Sequence, residues 1–183
     1  MHVSLFIGSP RPKGNTATMV GALSDKLKDK GAECRTYYLY QHKIQPCFDC
    51  RQCKTDGMEC ALKDGMTILY KNLEWADVII FGTPIYWFGP SAQTKLLIDR
   101  FRPYFANKKL YGKRAALLLP AGSGAGDCDI TIEQFKRVFK ALGMEFIDAI
   151  ALEAYDEGDA LNSDELSAYV NRLAGRIMEE ETV

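Results

Sequence analysis

The chain predicts an α/β fold, a doubly wound five-stranded parallel sheet with helices on both faces. Three observations carry this expectation. Five short β-rich runs recur along the chain, at residues 3–7, 34–40, 78–81, 115–119 and 146–152. Segments of helical period separate or follow them. Runs such as 78–81 and 115–119 are apolar without alternation, as strands covered on both faces must be.

Taken in order, the run at 3–7 leads through Gly8 to Thr16 into a helix carrying Val20, Leu23 and Leu27. The run at 34–40 opens onto a stretch, about 41–64, with no sustained apolar period, four cysteines, Pro46 and Gly57. A loop of that length inside a compact fold is functional or disordered, and its cysteines favour the first. Leu69, Leu73 and Ala76 then fall at i, i+4, i+7 before the run at 78–81, and Leu97, Phe101 and Tyr104 repeat that spacing on one expected helix. After 115–119 the run Gly122-Ser123-Gly124-Ala125-Gly126 reads as a loop. The last segment places Leu166, Tyr169, Val170, Leu173, Ala174 and Ile177 on one stripe. Five βα repeats fill residues 1–183 as a single expected domain.

Composition bounds the function. With 23 basic and 24 acidic side chains, a net charge of −1 and 47% hydrophobic residues, the chain is neither disordered nor a polyanion-coating protein, so no nucleic-acid partner is expected. No apolar run is long enough to span a membrane, and 3–7 is too short for a secretory signal core. The expected location is the cytoplasm, where structural disulfides are rare, so clustered cysteines need another explanation.

The turn after the first run presents an anion-binding pattern. A strand, a loop rich in small and hydroxyl residues, and a helix start aim several backbone N–H groups at one point. Ser9 and Thr16 add hydroxyls, Asn15 an amide and Arg11 a guanidinium fork. It is not a Walker loop, because Lys13 precedes Gly14, and no dinucleotide fingerprint is present. A monophosphate site fits it best; the competing reading is an ordinary βα turn with a Thr or Asn cap. Further on, Tyr86, Trp87 and Phe88 follow a strand end and offer either a flat wall for a ring or a core or dimer contact.

The cysteines are spaced Cys47-x2-Cys50-x2-Cys53-x6-Cys60. Two-residue gaps let three sulfurs converge on one cluster. Zinc more often uses two separated pairs, and unmetallated thiols are the third possibility. Arg51 and Lys54 lie among the ligands and either offset their charge or face solvent. Cys34 and Cys128 read as core or incidental thiols.

Gly8-Ser9-x-Arg11-x-x-Gly14-Asn15-Thr16, the stretch Ile80-Phe81-Gly82-Thr83-Pro84-Ile85-Tyr86-Trp87-Phe88-Gly89-Pro90-Ser91-Ala92, and then Lys95 and Ile98-Asp99-Arg100 resemble the flavodoxin-like NADPH-dependent FMN reductase superfamily. The likeness runs from residue 3 to about 154. It implies a sheet order of 2-1-3-4-5 with FMN at the carboxyl ends of strands one, three and four. Ser9, Arg11, Gly14, Asn15 and Thr16 would hold the phosphate, and Pro84, Ile85, Tyr86 and Trp87 would border the flavin. Ala121, Gly122 and Ser123 are expected at the ring's other side, glycine allowing close backbone access.

A compact cysteine motif after the second strand further resembles the iron–sulfur flavoprotein branch, which implies a 4Fe-4S cluster on Cys47, Cys50, Cys53 and Cys60. The resemblance also implies a homodimer or homotetramer, to which the stretch from Arg100 to Phe105, with Phe101 and Tyr104, either contributes or is buried as helix core. The expected function is that of an FMN-dependent oxidoreductase passing electrons between NAD(P)H or ferredoxin and a small-molecule or protein acceptor. No catalytic side chain is singled out. His2 and His42 are the two histidines, which gives hydrolysis little support. Two other readings compete: a cluster-free NAD(P)H-dependent FMN or quinone reductase, and a non-catalytic zinc-binding interaction module.

Overall fold

The computed structural model describes residues 1–55 and 57–179; Asp56, within the cysteine-rich stretch, and 180–183, the end of the expected domain, lie outside the described residues. Strands β1 (His2–Ile7), β2 (Glu33–Tyr38), β3 (Val78–Gly82), β4 (Ile85–Tyr86), β5 (Gly89–Pro90), β6 (Arg114–Ala121) and β7 (Glu145–Glu153) form two sheets. The larger is parallel in the order β2-β1-β3-β6-β7, with Val3 opposite Cys34 on one side and Val78 on the other. With the hairpin β4-β5 set aside, this is the flavodoxin-like order expected from the sequence.

Successive residues of the central strands point to opposite faces. Leu5, Ile7, Val78, Ile80, Ala116 and Leu118 pack under α1 (Asn15–Asp29) and α6 (Asp164–Met178). Phe6, Ile79, Phe81, Leu117 and Leu119 pack on the other face under α2 (Met66–Trp75), α3 (Ala92–Asp99), α4 (Arg102–Asn107) and α5 (Asp129–Leu142). A parallel strand covered by helices on both sides has no solvent face, hence the unbroken apolar runs. Edge strand β2 is the exception: its Glu33, Arg35 and Thr36 are exposed.

Three local expectations differ from what forms. The run read at 34–40 ends as a strand at Tyr38, and a 3-10 turn, Leu39–Gln41, follows. Leu97, Phe101 and Tyr104 do not share one helix. The chain breaks at Arg100–Phe101, where the amides bond three residues back, and Pro103 starts α4. Proline lacks the N–H that a continuing helix would bond to the carbonyl four residues back, and its ring clashes with that carbonyl. The Pro84-containing loop closes into the β4-β5 hairpin. Among the described residues no helix is long and apolar enough to cross a membrane.

Candidate functional site

The carboxyl ends of β1 and β6 and the turn after β3 open onto a cleft of about 510 Å³, within the usual size of small-molecule pockets. Its walls contain every residue expected to meet FMN: Ser9, Arg11, Gly14, Asn15 and Thr16; Pro84, Ile85, Tyr86 and Trp87; Ala121, Gly122 and Ser123.

The first loop is locked before it turns. Gly8 N–H donates to the Gly82 carbonyl at 2.8 Å, and Ser91 Oγ donates to the Gly8 carbonyl. A side chain on Gly8 would collide with Thr94 Oγ1, so glycine is required by close approach. Ser9 Oγ then accepts the Arg11 N–H at 3.2 Å. Gly14 caps α1 without any side-chain hydrogen bond, so the Thr- or Asn-capped turn is not what forms. The N–H groups of Asn15 and Thr16 meet no acceptor among the described residues, and the Arg11 guanidinium has no partner among them. Unspent donors at a helix start, joined by one free guanidinium, suit a phosphoryl group.

Asn15 departs from its expected role. Its Nδ2 donates to the Asp156 carbonyl at 2.8 Å and its Oδ1 accepts the Ala160 N–H at 3.1 Å. The side chain therefore fastens the segment after β7, leaving its backbone N–H and the second Nδ2 hydrogen for an anion.

The hairpin forms the opposite wall. Trp87 (φ 51°) and Phe88 (φ 63°) are both left-handed. A two-residue hairpin turn demands that conformation and usually fills it with Asn-Gly, so two aromatics there are strained. Trp87 is 96% exposed, and Tyr86 and Phe88 are exposed too, which excludes the core reading of this trio. Across the cleft, Gly122 makes room for the Tyr155 ring: a Cβ would stand 2.6 Å from Tyr155 Cδ2. Sequence reasoning missed Tyr155, Asp156 and Glu157, which line the cleft from the segment Asn15 holds, as well as Pro120, Asp127 and Ala154. Asn15 makes its bonds across 141 and 145 positions of sequence, and no local pattern signals them.

Cys47, Cys50, Cys53 and Cys60 line a second, small pocket of about 20 Å³, together with Arg51, Arg100 and Arg102. All four are free thiols, as are Cys34 and Cys128. Among the described residues no three His, Cys, Asp or Glu side chains are grouped to hold one metal ion. Arg100 lies beneath the loop, its side chain 1% exposed, with Nη1 on Asp64 Oδ2 at 2.7 Å and Nη2 on Cys60 Sγ at 3.3 Å. Its buried Nε has no partner among the described residues. Four cysteines lining one pocket, three neighbouring guanidiniums and an orphaned buried donor form a lining whose chemistry suits a negatively charged thiolate centre. Arg51 lines the pocket in left-handed geometry and pairs with Asp49, whereas Lys54 is exposed and outside the lining.

Burial would raise the Asp64 carboxyl, yet the Arg100 fork and the Gln45 and Met66 N–H groups outweigh it and hold it below its usual range. Burial, helped by Asp127 and Asp129, pushes the Cys128 thiol up to about 11, as befits an inert core cysteine. Phe101 and Tyr104 are buried and Phe105 exposed. Neither histidine lines the cleft or the cysteine pocket.

The family model described as NADPH-dependent FMN reductase matches residues 1–156. The chain belongs to that family. It is thus an FMN-dependent oxidoreductase. An iron-sulfur flavoprotein of Methanocaldococcus jannaschii is 35% identical to it over 76% of this chain and 72% of that protein. One from Archaeoglobus fulgidus is 33% identical over 76% of this chain but 62% of its own length. A Bacillus subtilis protein bearing the name NAD(P)H-dependent FMN-containing oxidoreductase YwqN is 30% identical over 96% of this chain and 98% of that one. Among solved structures, an NAD(P)H:quinone oxidoreductase from Methanothermobacter marburgensis shares the fold, with a TM-score of 0.75 over 99% of this chain and 98% of that chain at 18% identity.

Proposed function

We propose that the chain is an iron–sulfur flavoprotein: an electron-transfer oxidoreductase with FMN in the 510 Å³ cleft and a 4Fe-4S cluster on Cys47, Cys50, Cys53 and Cys60. The observation that carries the flavin half is the convergence of three separate sequence stretches on one cleft, with unspent donors at its phosphate end. FMN, when bound, supplies exchange of a hydride or of single electrons. The chain supplies the rest. Arg11 and the first N–H groups of α1 bind the phosphoryl group; Ser9 shapes the loop; Tyr86, Trp87 and Tyr155 wall the ring and exclude water. The four cysteines, as thiolates, hold the cluster, with Arg100 beside them.

Residues 1–183 are read as one FMN-binding domain in a cytoplasmic homodimer or homotetramer. The donor is a nicotinamide, in keeping with the family name and with YwqN, or ferredoxin; the acceptor is a small molecule or a protein. Anaerobic reconstitution with FMN, iron and sulfide, followed by flavin, iron and zinc analysis, tests the assignment. One FMN and four irons per chain are expected. An empty cleft would overturn the flavin site. A flavin-replete chain without iron would leave the cluster-free NAD(P)H-dependent reductase, a reading that the small volume of the cysteine pocket favours. Zinc with no flavin would leave the interaction module.

A further inference from the structure

The junction of α3 and α4 spends an arginine in an unusual place. Arg100 is the bulkiest fully buried side chain, and it is surrounded by one carboxylate, Asp64, one carbonyl and one sulfur. Nη1 donates to Asp64 Oδ2 and to the Gln45 carbonyl at 2.8 Å; Nη2 donates to Asp64 Oδ1 at 3.2 Å and to Cys60 Sγ. Both terminal nitrogens are spent, and Nε alone has no acceptor among the described residues. Every one of these acceptors lies in the segment from Gln45 to Asp64, which contains the four cysteines. The fork therefore grips the cysteine loop from below, and does so through a cysteine sulfur as well as through backbone and carboxylate.

We propose that Arg100 is a positioning and charge-compensating residue for the centre held by the four cysteines, setting its reduction potential through the Nη2–H bond to Cys60 sulfur. The inference rests on the cluster reading above. A donor on a ligand sulfur withdraws negative charge from it and stabilises the form that carries the extra electron, which raises the potential. Asp64 acts against it through the same fork: its carboxylate neutralises the guanidinium, so the two side chains shift the potential in opposite directions. The free Nε–H leaves one further donor for whatever fills the pocket.

The opposed signs give the test. Wild type, Arg100→Gln and Asp64→Asn, each reconstituted anaerobically with FMN, iron and sulfide, are titrated with dithionite while the cluster is followed by electron paramagnetic resonance. Bound FMN reports the fold. Arg100→Gln is expected to lower the reduction equilibrium constant about tenfold, about 59 mV for one electron, and Asp64→Asn to raise the potential, with flavin content unchanged in both. If Arg100→Gln does not fold, the rise in Asp64→Asn decides alone. Fully loaded variants with unshifted potentials, or shifts of the same sign, would overturn the inference while leaving the cluster standing. Loss of bound FMN from both variants would overturn it too, reducing the pair to a folding staple. Wild type that takes up no iron would instead remove the cluster reading beneath it.

Discussion

Arg11 faces the cleft with Asp127, Asp156 and Glu157 and is the one basic side chain in its lining among the described residues. A guanidinium so placed discriminates by the phosphoryl group and not by the ring. Arg11→Ala is expected to weaken FMN by about 1.5–3 kcal/mol, the range of a hydrogen bond to a charged group, and to leave riboflavin binding nearly unchanged. Fluorescence-quenching titrations with the two flavins check this; equal losses would put the phosphate elsewhere. Residue types here were legible because each local motif carries its own chemistry: small residues, hydroxyls and a cation at a helix start. What Asn15 does was not, since its partners in the segment 156–160 are brought to it only by the packing of β7 and α6 against α1.

At the scale of elements, two pieces hold strain or charge that packing must offset. The β4-β5 hairpin keeps Trp87 and Phe88 left-handed at a cost of about 1–2 kcal/mol each. Trp87→Gly should therefore raise stability by about 1 kcal/mol and weaken FMN, read by thermal melts and by flavin titration; a variant that is both less stable and unaltered in flavin binding would remove the hairpin's role as a wall. The cysteine loop depends on the Asp64–Arg100 pair. Because the Asp64 carboxyl is depressed in the folded chain, its contribution is complete above the ordinary carboxylate value of 3.8 and is lost as pH falls through the lower native value. Asp64→Asn is expected to cost about 3–5 kcal/mol at neutral pH, as for a broken buried pair, and much less once the pH has fallen through that lower native value, measured by urea unfolding across pH. The apolar period read across Leu97, Phe101 and Tyr104 was correct about burial and wrong about continuity. All three are buried, but periodicity does not register a break that Pro103 imposes between them.

For the whole molecule, the two sites are built from different parts of the chain: the cleft from the loops after β1, β3, β6 and β7, the cysteine pocket from the excursion after β2 and the α3–α4 junction. Cys50→Ser is accordingly expected to abolish iron uptake and leave flavin stoichiometry intact, by metal and flavin analysis of the same preparation. Retention of iron would remove Cys50 from the ligand set. The sheet order was legible from family likeness, and the layering from unbroken apolar runs. The edge strand β2 was less so, since a strand paired on one side does not need an apolar sequence and its Glu33, Arg35 and Thr36 carry none of that signal.

Helix α3 touches both ends of this arrangement. Ser91, at its cap, holds the Gly8 carbonyl, and Arg100, just past its last turn, holds Cys60. From Ser91 to Arg100 is a rod of about 13 Å at 1.5 Å per residue, with no hinge along it. The spacing between the phosphate loop and the cysteine pocket is thereby a matter of count: dropping a single residue from the rod would swing Arg100 through about 100° and uncouple the two ends while both remained individually well formed.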